Sequence, residues 1–249
     1  MKRKRVTIWV MVIVLATIDT SKAALTGYIG SFGGDIRYTN FETGEQKRIY
    51  DGSLSEIEAL EWSPSENVLY ATGDHRLYKI DPQTGEELFW CRLKKDIYNL
   101  AFAPDGSLYG IRLDLLKQID TKTGEQSIIG NPGATCGSIY AFAIDNYGRA
   151  LIYARGGLFE LTLSDASVVY LGQLPYGGDL EAFDFGPEGK LYGWDTYRVY
   201  EIDIENLITT RIGPYRYSHR GEGFAVIPEP AMLLLLGLGA VMLRRRRRA

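Results

Sequence analysis

The stretch LAFAPDGSLYGIRLDLLKQIDTKTGEQSII, residues 100–129, carries the pattern from which the fold is inferred. Its apolar runs LAF, SLYGI, LLKQI and QSII alternate with polar or small residues, as half-buried β-strands do. Pro104-Asp105-Gly106 and Thr123-Gly124-Glu125 contain the residue types that tight turns require. The stretch therefore predicts four short strands joined by turns.

The same pattern recurs along the chain. Trp62, Phe102, Ile144 and Phe185 hold the same place in the first strand of each unit, at intervals of 40, 42 and 41 residues. Four strands per unit at a period near 40 residues are typical of a β-propeller, in which each unit forms one blade. An open β-sandwich with accidental spacing is the alternative.

The two ends of the repeat region complement each other. The first unit, residues 25–50, has three strands and lacks the first, whereas residues 222–227 (EGFAVI) resemble a first strand with nothing after it. We therefore predict an all-β, five-bladed propeller of about 40 residues per blade, closed by its C-terminal strand. Closure removes exposed sheet edges, which would otherwise invite aggregation.

The predicted innermost strands have one bulky and one mostly small face. Large residues such as Phe102 and Phe142 alternate with small ones such as Ala101, Ala143 and Ala225. Strands near an axis crowd together, so large side chains of one blade must interdigitate with small ones of the next. The pattern assigns most tyrosines and tryptophans to this inter-blade core.

Residues 1–23 have the features of a signal peptide. A basic segment from Lys2 to Arg5 precedes the apolar residues 6–18, and Ser21-Lys22-Ala23 offers small residues to a signal peptidase. We predict cleavage after Ala23 and export of the domain 24–227. An uncleaved anchor is the alternative, although 13 helical residues span only about 20 Å of a hydrocarbon core of about 30 Å.

The charge of the exported part argues against a nucleic-acid partner. The terminal segments hold ten of the 28 Lys and Arg residues and two of the 31 Asp and Glu residues, so residues 24–227 carry 18 basic and 29 acidic groups, a net charge of −11. Nucleic-acid binding needs a cationic face.

Two cysteines, Cys91 and Cys136, fall in neighbouring predicted blades, Cys136 in a loop. Export to an oxidising compartment would allow a disulfide between them, but buried free cysteines are common and are the favoured interpretation.

The amino-acid composition changes in the last 22 residues. Pro228-Glu229-Pro230 is followed by the apolar residues 231–243 and by five arginines, Arg244 to Arg248. This segment, 228–249, resembles a PEP-CTERM sorting signal: a Pro-Glu-Pro box, a short transmembrane helix and a basic stop on the cytoplasmic side. The resemblance implies an exosortase-type membrane protease as partner, a transient inner-membrane stage, and release to the surface or extracellular matrix of a Gram-negative cell. An ordinary C-terminal membrane anchor would share this hydropathy.

One register supplies candidate ligand-binding residues. Glu58, Tyr98, Tyr140, Glu181 and Glu222 begin the innermost strands, so we expect them to ring one mouth of the central channel. Carboxylates accept hydrogen bonds from sugar hydroxyls, and tyrosine rings stack on apolar sugar faces. Three close carboxylates would also require a shared proton or a cation. Solvation at the rim, or bonds to backbone amides, would explain the same residues structurally.

No catalytic, metal-binding or cofactor motif is recognisable: the sequence lacks a G-x-S-x-G elbow, a Walker loop, an H-E-x-x-H pair and an EF-hand loop. We therefore predict a non-catalytic binding protein, associated with exopolysaccharide. The alternatives are a glycosidase-like enzyme that uses the arc of Glu58, Glu181 and Glu222, and a structural platform for a protein partner.

Overall fold

The computed structural model describes residues 24–52, 54–175, 180–186, 188–214, 216–217 and 221–227. These form five antiparallel four-stranded sheets, which we call blades 1 to 5. From the innermost strand outward, blade 1 contains β20 (Phe224–Ile227), β1 (Thr26–Gly30), β2 (Asp35–Asn40) and β3 (Gln46–Asp51); blade 2, β4 (Ala59–Ser63), β5 (Val68–Gly73), β6 (Arg76–Ile80) and β7 (Glu87–Arg92); blade 3, β8 (Asn99–Phe102), β9 (Leu108–Arg112), β10 (Leu115–Ile119) and β11 (Gln126–Gly130); blade 4, β12 (Ile139–Ile144), β13 (Ala150–Ala154), β14 (Gly157–Leu161) and β15 (Val168–Gln173); blade 5, β16 (Ala182–Phe185), β17 (Leu191–Trp194), β18 (Val199–Asp203) and β19 (Ile208–Ile212).

The blades form a closed ring. The innermost strands β4, β8, β12, β16 and β20 each contact the innermost strands on both sides, and the contact of β16 with β20 and of β20 with β4 completes the circle. The five-bladed propeller predicted from the sequence is therefore confirmed, and the sandwich alternative is wrong.

The C-terminal strand completes the first blade as predicted. In the antiparallel pair of β1 and β20, Tyr28 faces Ala225 and Ile29 faces Phe224. Glycine is needed at position 27, because an added Cβ would lie 2.1 Å from the carbonyl oxygen of Ala225. The strand that closes the ring thus packs directly on the beginning of the described chain.

Large residues at the end of each innermost strand pack on the preceding blade. The Trp62 ring stacks on Tyr28 with centroids 6.4 Å apart, and the Phe102 ring meets Tyr70 edge-on at 5.0 Å. The buried Ala101 and Ala225 pack in the opposite direction, in the cores shared with the next blades. This interdigitation is the reason for the alternation of bulky and small faces in the sequence.

The cysteines do not form the disulfide that the sequence allowed. Both are free and buried, Cys91 in β7 and Cys136 in a short helix, α1 (Gly133–Cys136), where a loop was predicted. They belong to different core clusters, and burial raises the pKa of each thiol. The Sγ–H of Cys136 donates a hydrogen bond to the carbonyl oxygen of Pro132 at 3.3 Å.

We accordingly expect two thiols to react with a thiol reagent in the denatured protein, and far slower reaction in the folded protein, because burial hinders access and disfavours the thiolate. A reductant should leave the melting temperature unchanged. Absence of reactive thiols from denatured, unreduced protein would show that the cysteines are bonded after all.

The terminal predictions lie outside the described residues: the signal helix and its cleavage site at Ala23, and the C-terminal segment with Pro228, Glu229 and Pro230. Within the ranges that the structure describes, no helix has the length and apolar character needed to cross a bilayer.

Candidate functional site

The predicted residues lie at one end of the central axis, where the innermost strands begin; we call this end the front mouth. The backbone N–H groups of Glu58, Tyr98 and Glu181 donate to the carbonyl oxygens of Thr72, Ile111 and Trp194, at 2.9, 2.9 and 2.7 Å. These bonds occupy the same place in three different blades. The repeat register therefore does place the residues at equivalent positions around the axis.

Glu58 is the predicted glutamate whose pKa is most strongly displaced. Burial is the main reason that the pKa of Glu58 rises to about 8, and the charges of Asp96, Glu56, Glu222 and Asp74 add to the shift. The Glu58 side chain is buried, and its Oε2 atom has no hydrogen-bond partner among the described residues. Glu58 therefore holds a proton at neutral pH.

The remaining acidic residues of the predicted arc behave differently. Burial, followed by the charge of Glu56, raises the pKa of Glu222. Glu181 is half-buried and is not among the groups that raise the pKa of Glu58. The acidic side of the front mouth is thus centred on Glu58 in blade 2 and Glu222 before β20.

The predicted tyrosines occupy blades 3 and 4. The guanidinium carbon of Arg112 lies 5.9 Å from the centroid of the Tyr98 ring. Tyr140 is exposed, and its carbonyl oxygen accepts a hydrogen bond from the side-chain amide of Asn99 at 3.1 Å. Arginine beside the aromatic arc is a feature that the sequence did not indicate.

The opposite end of the axis holds a cavity of about 600 Å³, which we call the rear cavity. Side chains from several blades line it, because the innermost strands end there and turn into the second strands. The lining includes Glu61, Trp62, Phe102, Ile144, Asp184 and Phe185.

Of the four carboxylates that line the rear cavity, Glu61 and Asp184 stand on innermost strands, whereas Asp105 and Asp145 lie in turns. Glu61 and Asp184 occupy the register at which the other three blades have Ala101, Ala143 and Ala225. The Oε1 atom of Glu61 accepts a hydrogen bond from the N–H of Phe102 at 3.0 Å, and Oδ2 of Asp184 accepts one from the N–H of Val226 at 2.6 Å. Each carboxylate therefore bonds the innermost strand of the next blade, whose axial edge has no strand to pair with.

The two carboxylates share one electrostatic environment. Burial raises the pKa of both groups, and the charge of Asp184 raises that of Glu61 further. Backbone N–H donors act in the opposite direction on each, and the pKa of Asp184 lies at about 7. At neutral pH the pair therefore retains at least one proton, which can be donated to a hydroxyl oxygen, while the ionised oxygens accept hydroxyl protons.

Sequence reasoning missed Glu61 and Asp184, although a signal was present. A charged residue in a register otherwise filled by alanine, on a strand at the axis, departs from the packing rule that explains the other blades. The turn residues that line the cavity, which are mostly exposed or half-buried, carry no such signal.

Among the residues that the structure describes, no group of three or more His, Cys, Asp or Glu side chains has an arrangement that could hold a metal ion.

Sequence comparison recognises the C-terminal segment. Residues 226–248 match the family model described as the PEP-CTERM protein-sorting motif. A search of curated proteins finds no relative of significant sequence similarity. The motif indicates export by way of the cell envelope and implies processing by an exosortase-type enzyme.

Comparison with solved structures identifies chains of similar fold. One chain of a nidogen/laminin complex superposes with a TM-score of 0.58 at 13% identity, over 81% of this chain and 98% of that chain. A symmetrical protein from a study of de novo evolutionary emergence gives 0.53 at 15%, over 79% and 94%, and a Bacteroides caccae protein of unknown function gives 0.53 at 12%, over 84% and 88%. At such identities the likeness concerns the fold alone. This chain joins a five-bladed β-propeller to a C-terminal PEP-CTERM sorting motif.

Proposed function

We propose that this chain is an exported, non-catalytic carbohydrate-binding protein that takes up part of an exopolysaccharide in the rear cavity. The observation that carries the proposal is the cavity of about 600 Å³ in which Trp62, Phe102 and Phe185 accompany the carboxylates of Glu61 and Asp184. Aromatic rings stack on the apolar faces of sugars, and carboxylates accept hydrogen bonds from sugar hydroxyls. A cavity of this size accommodates a small oligosaccharide unit.

The hydrogen bonds of the carboxylates favour binding over catalysis. Both oxygens of Asp184 accept backbone N–H groups, Oδ1 from Phe185 at 2.7 Å and Oδ2 from Val226. A carboxylate fixed in this way is rigid and poorly placed to become a nucleophile or to move a proton between atoms. Rigid acceptors suit the recognition of a hydroxyl.

A glycosidase-like activity is the second candidate, and the raised pKa values of Glu61 and Asp184 favour it. Glycoside hydrolysis uses two carboxyl groups of which one is protonated. The front-mouth arc of Glu58, Glu181 and Glu222 offers a second set of carboxyl groups for the same chemistry. Turnover of a polysaccharide would distinguish this candidate from binding.

The processing steps belong to the same proposal. A signal peptidase cleaves after Ala23, residues 24–227 fold as the propeller, and the segment 228–249 holds it in the inner membrane until an exosortase-type protease acts. The product reaches the cell surface or extracellular matrix. The Pro-Glu-Pro box at Pro228, Glu229 and Pro230 supports this order, because it resembles the box of known sorting signals.

A glycan array followed by a reducing-sugar assay tests the proposed function. We expect binding without release of reducing ends. Glu61→Gln and Asp184→Asn should each weaken binding about tenfold or more, since a hydrogen bond to a charged group contributes about 1.5–3 kcal/mol. Glu45→Gln, on an exposed loop, is the matched control and should bind as the wild type does.

Release of reducing ends that both rear-cavity variants abolish would establish the enzyme instead. Binding of no glycan at all would leave the platform for a protein partner as the better hypothesis.

A further inference from the structure

Beside the aromatic part of the front mouth lies a group of four cationic side chains, Lys94, Lys95, Arg112 and Lys117, which we call the blade 3 cationic cluster. Lys94 and Lys95 lie in the loop between β7 and β8, Arg112 ends β9, and Lys117 lies in β10. The positive charges of the other three groups all act on the Lys117 ammonium and lower its pKa, after burial, which is the largest cause. The four groups are therefore near enough for their charges to interact.

Lys117 is an unusual member of the cluster because it is only 4% exposed. Its Nζ atom donates a hydrogen bond to Oε1 of Gln126 at 2.9 Å, and Nε2 of Gln126 donates to the carbonyl oxygen of Lys95 at 2.7 Å. The partner of the buried ammonium is thus a neutral amide, which is itself held in place. Burial of an ammonium group without a counter-ion is costly.

Arg112 connects the cluster to the front mouth. Its guanidinium group lies beside the Tyr98 ring, and its Nε atom is buried with no hydrogen-bond partner in the described part of the chain. An unsatisfied buried donor has a high free-energy cost. The geometry leaves the Arg112 Nε donor in need of an acceptor, and the Lys117 ammonium in need of a counter-ion.

In the part of the chain that the structure describes, no acidic side chain forms an ion pair with the cluster. None of the ion pairs found among the described residues includes Lys94, Lys95, Arg112 or Lys117. Asp96, which follows Lys95 in the chain, pairs instead with the His75 ring at 2.8 Å and accepts the His75 N–H at 3.0 Å. Four cations without an ion pair among the described residues are notable in a segment, residues 24–227, with a net charge of −11.

We propose that the blade 3 cationic cluster binds the anionic group of an acidic polysaccharide, with Arg112 as the principal donor, the buried Lys117 contributing its positive charge, and Tyr98 beside Arg112 for the sugar ring. This inference rests on the proposed carbohydrate-binding function and specifies the chemical class of the ligand. A uronate carboxylate and a sulfate ester offer the same acceptor chemistry to these donors.

The acidic side of the front mouth determines where an anionic group of the ligand can bind. Glu222 and the deprotonated form of Glu58 would repel an anionic group, whereas blade 3 attracts it. Because the overall charge of the domain is negative, a ligand with dense and regular phosphates such as nucleic acid is disfavoured. A polysaccharide with spaced charges can place one anionic group on blade 3 and neutral hydroxyls elsewhere.

The test compares three probes of similar length binding to the full-length protein at low ionic strength: oligoalginate, dextran sulfate and neutral dextran. We expect oligoalginate or dextran sulfate, or both, to bind at least tenfold more tightly than dextran, and to weaken as salt is added. The first two probes distinguish carboxylate from sulfate as the anionic group.

Lys117→Met and Arg112→Gln should each weaken binding of the acidic probe at least tenfold, while Lys122→Met, which removes one exposed positive charge from the turn between β10 and β11, should change it less than twofold. Circular dichroism shows whether each variant is folded. If Lys117→Met does not fold, the affinity of Arg112→Gln tests the inference. Equal affinity for acidic and neutral probes, or unchanged affinity in the folded variants, would overturn the inference. Binding of neutral glycans that remains sensitive to Glu61→Gln would then leave the proposed function intact.

Discussion

Replacement of Phe224 by alanine is expected to lower the free energy of unfolding by about 3–5 kcal/mol, which is a large part of the total stability of a typical domain. The Phe224 side chain is 2% exposed. Its ring lies parallel to that of Trp194, with an interplanar angle of 4° and centroids 6.1 Å apart, and it contacts the Phe41 ring at 5.3 Å. Alanine would leave a cavity between blades 5 and 1.

The position of Phe224 in the closing strand increases the expected loss of stability. β20 joins the end of the ring to β1, so a weakened contact there exposes the edge of β1 and loosens the closure of the whole ring. Chemical denaturation measured by tryptophan fluorescence gives the change in stability. Phe32→Ala is the matched control, because the Phe32 side chain is 43% exposed, and it should cost less than about 1 kcal/mol. Equal effects of the two substitutions would show that β20 does not close the ring.

The second large effect concerns pH. The rear-cavity carboxylates should lower the free energy of unfolding of the wild type by about 3 kcal/mol between about pH 4 and pH 7. The pKa values of Glu61 and Asp184 are raised in the folded state, to about 7 for Asp184, so in this range the folded state binds more protons than the unfolded state. Stability contributed by such groups is complete below the unfolded pKa and is lost as pH rises through the folded pKa.

Glu61→Gln should flatten this decrease, because glutamine keeps the acceptor for the Phe102 N–H, removes one charge, and allows Asp184 to ionise more easily. Thermal unfolding over a series of pH values measures the difference between the variant and the wild type. The control is a carboxylate whose pKa is shifted in the opposite direction. The Asn206 side chain and backbone N–H groups hold the pKa of the exposed Asp203 below its usual value. Asp203→Asn should therefore differ from the wild type at neutral pH, and the difference should vanish in acid. A Glu61→Gln curve parallel to that of the wild type would contradict the raised pKa values.

Several features of this protein were readable from residue spacing. The near-40-residue period fixed the number of strands per blade, the missing first strand placed Phe224 beside β1, and the Pro-Glu-Pro box identified the sorting motif. The small residues Ala101 and Ala225 likewise indicated crowding at the axis. Each of these features depends on residues close in sequence, or on repetition, which a single chain displays directly.

The candidate sites were harder to predict from the sequence than the fold. The front-mouth register was found from the repeat, but the convergence of Lys94, Lys95 and Arg112 on a buried Lys117 depends on how a loop of blade 2 lies against blade 3. The influence of Asp184 on Glu61 depends on the diameter of the ring and on the tilt of each blade. The chain by itself determined the blades, their number and their closure, because alternation and repetition are local patterns. Only the tertiary structure decided which charges meet, since the distance across an axis is set by the packing of all five sheets.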